Sequence, residues 1–177
     1  MAAANGNGGT RAQGPRCIAL VGPFQAGKTT LLEAILARTD AIQRQGTIEA
    51  GTTVGDSSHE ARHHKMSVEL TVATTTFMGD SYTFIDCPGS IEFVHDMRAA
   101  LPAVDAAVVV CEADEKKIPQ LQLILRELEA QNIPRFLFLN KIDKAEANLV
   151  EALQLLQPAS RKPLVLRQIP IWNGDII

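Results

Sequence analysis

One stretch near the N-terminus limits the possible folds more than any other. The apolar run Cys17, Ile18, Ala19, Leu20, Val21 leads straight into Gly22-x4-Gly27-Lys28-Thr29, after which Leu31, Leu32, Ile35 and Leu36 recur at helical spacing. Strand, glycine loop and helix in that order place a nest of backbone N–H groups at a helix N-terminus, a geometry suited to phosphate. The pattern assigns Gly22, Pro23, Phe24, Gln25, Ala26, Gly27, Lys28, Thr29 and Thr30 to nucleotide contact, with Lys28 reaching the β and γ phosphates and the Thr29 hydroxyl binding Mg2+. The plainer alternative is a glycine turn joining a strand to a helix.

The same alternation returns along the chain. Apolar runs at 82–85, 106–110 and 136–139 read as strands, and helical patterns occupy 91–101, 118–130 and 145–156. Such alternation predicts an α/β fold, a mostly parallel sheet with helices on both faces. Each motif follows a strand, at the end of the sheet where open α/β folds bind ligands. Residues 46–67 are polar and aperiodic, with Gly46, Gly51 and Gly55, and read as a mobile loop with room for one helical turn. Residues 1–15 have too little apolar side chain to offset the entropy of ordering and read as a flexible tail, leaving 16–177 as one domain.

Two further motifs complete the reading. Asp86-Cys87-Pro88-Gly89 follows a strand where a phosphate-loop protein needs a carboxylate to hold Mg2+ through water and a glycine whose N–H meets the γ-phosphate. A simple turn fits the same residues. Asn140-Lys141-Ile142-Asp143 selects the base: guanine presents N1–H and N2–H2 as adjacent donors that the one carboxylate of Asp143 accepts together, and adenine has no such pair. Asn140 would brace the base and the phosphate loop, and the Lys141 stem would cover the ring. A helix N-cap at Asp143 is the alternative. In this order the three motifs describe a site for GTP or GDP with Mg2+.

Composition narrows the classes that remain. With 17 Lys+Arg against 20 Asp+Glu, a net charge of -3 and no basic run, the chain offers no electrostatic grip on nucleic acid, and direct DNA binding is not expected. Cys17, Cys87 and Cys111 are odd in number and lack CxxC spacing, which argues against a disulfide framework and fits a reducing cytoplasm. No apolar stretch approaches a membrane span, and the N-terminus lacks the regions of a signal peptide. A cytoplasmic monomer is the expectation. A competing pattern is His59-Glu60-Ala61-Arg62-His63, which satisfies H-E-x-x-H and would make a zinc hydrolase, although the stretch before it is a poor helix and no third ligand stands out.

With these residues placed, the chain resembles the start of the G domain of the translational GTPases, and most closely the elongation factor G-like proteins. The resemblance covers residues 17–177 and rests on Ala26-Gly27-Lys28-Thr29-Thr30, Asp86-Cys87-Pro88-Gly89, Glu92-Phe93 and Asn140-Lys141-Ile142-Asp143. Residues 51–68, from Gly51-Thr52-Thr53-Val54-Gly55-Asp56 through Met66-Ser67-Val68, look like that family's switch I, and 168–175 is similar to the passage leading into its inserted subdomain. It implies a factor that binds the ribosome and uses GTP as a timer, with Mg2+ held by Thr29, Ser67 and, through water, Asp86. It also implies a P-loop GTPase G domain that is incomplete at its C-terminus, before the last guanine-binding loop and the final strand and helix.

The chain departs from that family in ways that bear on turnover. The family carries a histidine directly after Asp-x-Pro-Gly to position the attacking water, and here the residue is Ser90, which has no imidazole. Ser67 stands for the family's magnesium-binding threonine, and Gln25 for its usual aspartate, while Phe24 and Met66 match the apolar residues that flank the histidine. Lys28, Gly89 and Ser90 are therefore the catalytic candidates. GTP hydrolysis that is slow without the ribosome is expected, or else a GTP-sensing switch that scarcely hydrolyses. His95, about one helical turn beyond Ser90, is expected to face solvent or packing.

Overall fold

The computed structural model describes residues 16–55, 69–90, 94–144 and 148–171. The tail at 1–15, the H-E-x-x-H pattern with His59 and His63, Met66, Ser67, Glu92, Phe93 and residues 172–177 lie outside them. The strands are β1 (Arg16–Val21), β2 (Thr71–Phe77), β3 (Asp80–Asp86), β4 (Ala106–Cys111) and β5 (Arg135–Leu139), in one sheet of order β2-β3-β1-β4-β5. Strand β1 pairs in parallel with β3 and β4, and β4 with β5, as the apolar runs predict.

Strand β2 was not expected from the sequence. It pairs antiparallel with β3 through a two-residue turn, Met78 and Gly79, with φ of 51° and 84°. Positive φ at both positions gives the hairpin the twist of its strands, and Gly79 takes it without strain.

The helices are α1 (Lys28–Arg38), α2 (Val94–Ala100), α3 (Ile118–Ala130) and α4 (Leu149–Leu156). Helix α3 buries Leu121, Ile124, Leu125 and Leu128, the i, i+3, i+4, i+7 set of one face. Each such side chain taken from water contributes about 1.5–3 kcal/mol. Helix α4 starts four residues later than its apolar pattern suggests, because Asn148 is its N-cap. The Asn148 side chain accepts from the Val150 and Glu151 N–H groups, and the Glu151 side chain accepts from the Asn148 N–H. Helix α2 gives way at its C-terminal end to a 3-10 turn, Leu101–Ala103, that contains Pro102.

Alternation along the strands sorts the core into two layers. Ala19, Val21, Ile85, Ala107 and Val109 pack with Met97 of α2, the buried face of α3 and Leu156 of α4. Leu20, Ala73 and Phe84 pack with Leu32 and Leu36 of α1 on the opposite face. On that second face Phe136 and Phe138 of β5 are 62% and 41% exposed, so the expected cover on both faces does not reach β5 among the described residues.

The described part of the 46–67 loop, residues 46–55, is tied down. Glu33 of α1, 1% exposed, accepts from the backbone N–H of Gly46 at 2.8 Å and of Val54 at 2.6 Å.

Candidate functional site

The three motif loops meet at the C-terminal ends of β1, β3 and β5. Residues 22–27 leave β1 as a tight loop in which Gly22 and Gly27 have φ of 151° and 96° and Gln25 is left-handed at 57°. A Cβ at Gly22 would strike the Val110 carbonyl oxygen, and one at Gly27 the Asn140 side-chain amide, so both positions need glycine. Pro23 and Ala26 are buried, whereas Phe24, Gln25 and Thr30 are exposed.

Lys28 opens α1 and is 7% exposed, with Nζ donating to the carbonyls of Gly22 and Pro23, both at 3.2 Å. Burial pushes its ammonium below its usual pKa, and the nearby Asp86 opposes that shift. Thr29 donates through Oγ1 to Asp86 Oδ2 at 2.6 Å, with the two residues 7% and 1% exposed. A hydroxyl and a carboxylate oxygen side by side and shielded from solvent are hard donors of the kind that suit Mg2+.

Cys87 and Pro88 are buried and carry the chain from Asp86 to Gly89. A Cβ at Gly89 would strike Lys28 Nζ and come within 2.9 Å of the Pro23 carbonyl oxygen and 3.0 Å of Phe24 Cα. The Gly89 carbonyl is held by Gln120 Nε2 from α3, a contact that no sequence motif announces. Ser90 is half-buried, and His95 is exposed on α2.

The third loop reaches back to the first. Asn140 Nδ2 donates to the Ala26 carbonyl at 2.8 Å and Lys141 Nζ to the Gln25 carbonyl at 2.7 Å. Gln25, expected at the nucleotide and standing for the family's aspartate, supplies its backbone carbonyl to this link. Ile142 and Asp143 begin a 3-10 turn, Ile142–Lys144, with Asp143 exposed. Sequence reasoning also missed Glu112, just beyond β4, whose Oε1 accepts from Lys117 at 2.8 Å and from Lys141 at 2.9 Å. Partial burial works against the Glu112 charge, but those two hydrogen bonds outweigh it and hold the carboxyl below its usual range. These partners become visible only with the strand register that brings β4 beside β5.

Comparison with known proteins agrees with the geometry. Residues 14–168 match the family described as the elongation factor Tu GTP binding domain. An elongation factor G-like protein of Synechocystis sp. is 42% identical over 160 residues, which are 90% of this chain and 24% of that protein. An elongation factor G-like protein of Mycobacterium tuberculosis is 35% identical over 98% of this chain and 24% of its own length. The oxytetracycline resistance protein of Streptomyces rimosus is 35% identical over 81% of this chain. A crystal structure of a Thermus thermophilus protein superposes with a TM-score of 0.72 at 35% identity, covering 81% of this chain and 22% of that one. The chain therefore spans about a quarter of the length of the relatives it matches. A five-stranded, mostly parallel sheet with phosphate, carboxylate and Asn-Lys-x-Asp loops at one end, together with these matches, places this chain in the family of the elongation factor Tu GTP binding domain, the G domain of the translational GTPases.

Proposed function

We propose that this chain binds GTP with Mg2+ and hydrolyses it to GDP and phosphate as the G domain of a cytoplasmic elongation factor G-type protein, slowly unless the ribosome stimulates it. The link that carries the reading is the pair of hydrogen bonds from Asn140 and Lys141 to the phosphate-loop carbonyls, which joins a guanine-selective loop to an anion nest. In this reading residues 22–30 cradle the phosphates, Asp143 selects guanine, and residues 86–90 face the γ-phosphate. Thr29 directly and Asp86 through water would hold Mg2+, with Ser67 as a further ligand by family resemblance. The metal when bound supplies charge neutralisation at the phosphates. Lys28 adds a cation beside it, and Gly89 leaves room for its N–H to approach the γ-phosphate oxygens.

Hydrolysis needs a water held in line with the γ-phosphorus, and positioning supplies much of the rate. Ser90 offers a hydroxyl there and no imidazole. That favours a second reading, in which the chain binds GTP as a switch and scarcely turns it over. Single-turnover hydrolysis with and without ribosomes divides the two. The first reading expects slow turnover that rises with ribosomes, and Ser90→His raising the rate. Absence of stimulation by any ribosome preparation refutes it and leaves the switch.

A further inference from the structure

We propose that Glu112 is a positioning residue for the guanine loop: its single oxygen Oε1 fixes the Lys141 ammonium against the Gln25 carbonyl before the nucleotide arrives. The proposal rests on the guanine reading of residues 140–143.

A lysine side chain has four rotatable bonds, and one backbone carbonyl leaves its stem several ways to lie. Here the ammonium meets two acceptors from different loops, Gln25 O at 2.7 Å and Glu112 Oε1 at 2.9 Å. Two fixed ends, the Lys141 backbone with φ of 55° and the doubly held Nζ, set the course of the stem between them. A stem laid out in advance is a surface on which a flat base settles without further loss of side-chain freedom, and preorganisation of this kind slows dissociation. Glu112 is suited to the task because the end of β4 lies between the two loops it serves. Its side chain is 17% exposed, against 35% for Lys141.

Lys117, 24% exposed, donates to the same oxygen at 2.8 Å. It comes from the 3-10 turn Glu115–Lys117, which Asp114 caps by accepting from the Lys116 N–H. Lys117 therefore shares the acceptor without belonging to the guanine loop. That separates a role for Glu112 toward Lys141 from a role in pinning the turn.

The test is the dissociation rate of fluorescent N-methylanthraniloyl GDP and GTP from the whole chain. Glu112→Gln, an isostere without the charge, is expected to speed release of both about five- to tenfold, with little change in association. In a Lys141→Ala background the same substitution is expected to add nothing, because Glu112 acts through that lysine. Lys117→Met should stay within about twofold of the unsubstituted chain. Glu112→Asp, which withdraws the carboxylate by one methylene, serves the same comparison if the Gln variant does not fold. Release unchanged by Glu112→Gln, an effect that persists without Lys141, or Lys117→Met matching Glu112→Gln would each overturn the proposal. Asp143→Asn run alongside tells the two readings apart. If it leaves GTP release unchanged, the guanine site falls and this proposal with it; if it speeds release while Glu112→Gln does nothing, only the role of Glu112 falls.

Discussion

Replacing Glu33 by Gln keeps the shape of a fully buried side chain and changes one oxygen to an NH2 group. In the native chain the two carboxyl oxygens accept from two different backbone donors, Oε2 from Gly46 and Oε1 from Val54. An amide has one acceptor oxygen, so whichever way it turns, one of those N–H groups faces another donor. A donor left unsatisfied in the interior costs about 1–3 kcal/mol. The segment has a cheaper course, which is to detach and let water take the N–H. The cost then appears as a shift in local opening of about five- to a hundredfold, since each 1.36 kcal/mol is a factor of ten. Amide hydrogen exchange resolved at Gly46 and Val54 reads this directly. At least one of the two is expected to exchange that much faster, while Leu20 and Val109 in the centre of the sheet keep their rates. Unchanged protection at both amides, or equal acceleration through β1 and β4, would refute the view that Glu33 anchors this segment locally.

Gly89→Ala should weaken GTP binding more than it weakens the fold. The Lys28 ammonium can swing aside, but the Pro23 carbonyl and Phe24 Cα would have to retreat by a few tenths of an ångström, an overpacking cost of about 1–3 kcal/mol that falls on the phosphate loop. Calorimetric titration with GTP and thermal melting, measured together, check that division. Asp143→Asn should shift preference from GTP toward xanthosine triphosphate, because two acceptors become a donor and an acceptor, and competition binding with both nucleotides would expose unchanged selectivity as a contradiction. Burial pushes the Cys87 and Cys111 thiols up to about 12. Both should resist a disulfide reagent at pH 8 until the chain unfolds. A thiol raised in the folded state stabilises fully below its unfolded value near 9 and loses that contribution as pH climbs toward 12, so the melting temperature should fall across this window.

The parts of the fold that announce themselves in sequence are those with a strong period or a strict backbone demand. The α3 boundaries follow from Leu121, Ile124, Leu125 and Leu128, and the phosphate loop from glycines that admit no side chain. Strand β2 was hidden because its Thr-rich face carries little hydrophobic contrast and its turn, Met78-Gly79, is not one of the usual Asn-Gly or Asp-Gly pairs. The Asn148 and Glu151 pair was legible as a capping box and would have placed the start of α4. Glu33, Glu112 and Gln120 were not legible. A glutamate in a helix, another after a strand and a glutamine in a helix look like ordinary solvated residues, and apart from Lys117 beside Glu112 their partners lie 13 to 31 positions away.

The central place of β1 also bears on how the chain can be made. Among the described residues the strand that leaves the ribosome first is the one in the middle of the sheet, and its two neighbours are β3 and β4, much later in the chain. The Asn140 contact that braces the phosphate loop spans 114 residues. Contacts of such separation are slow to form, because the loop entropy is lost before the contact rewards it. A nascent chain that has not yet reached β5 thus carries the whole phosphate-loop sequence without the framework that shapes it. Such an intermediate has unpaired strand edges and apolar surface to shield, and the phosphate loop takes its braced shape only once the segment through β5 has been made.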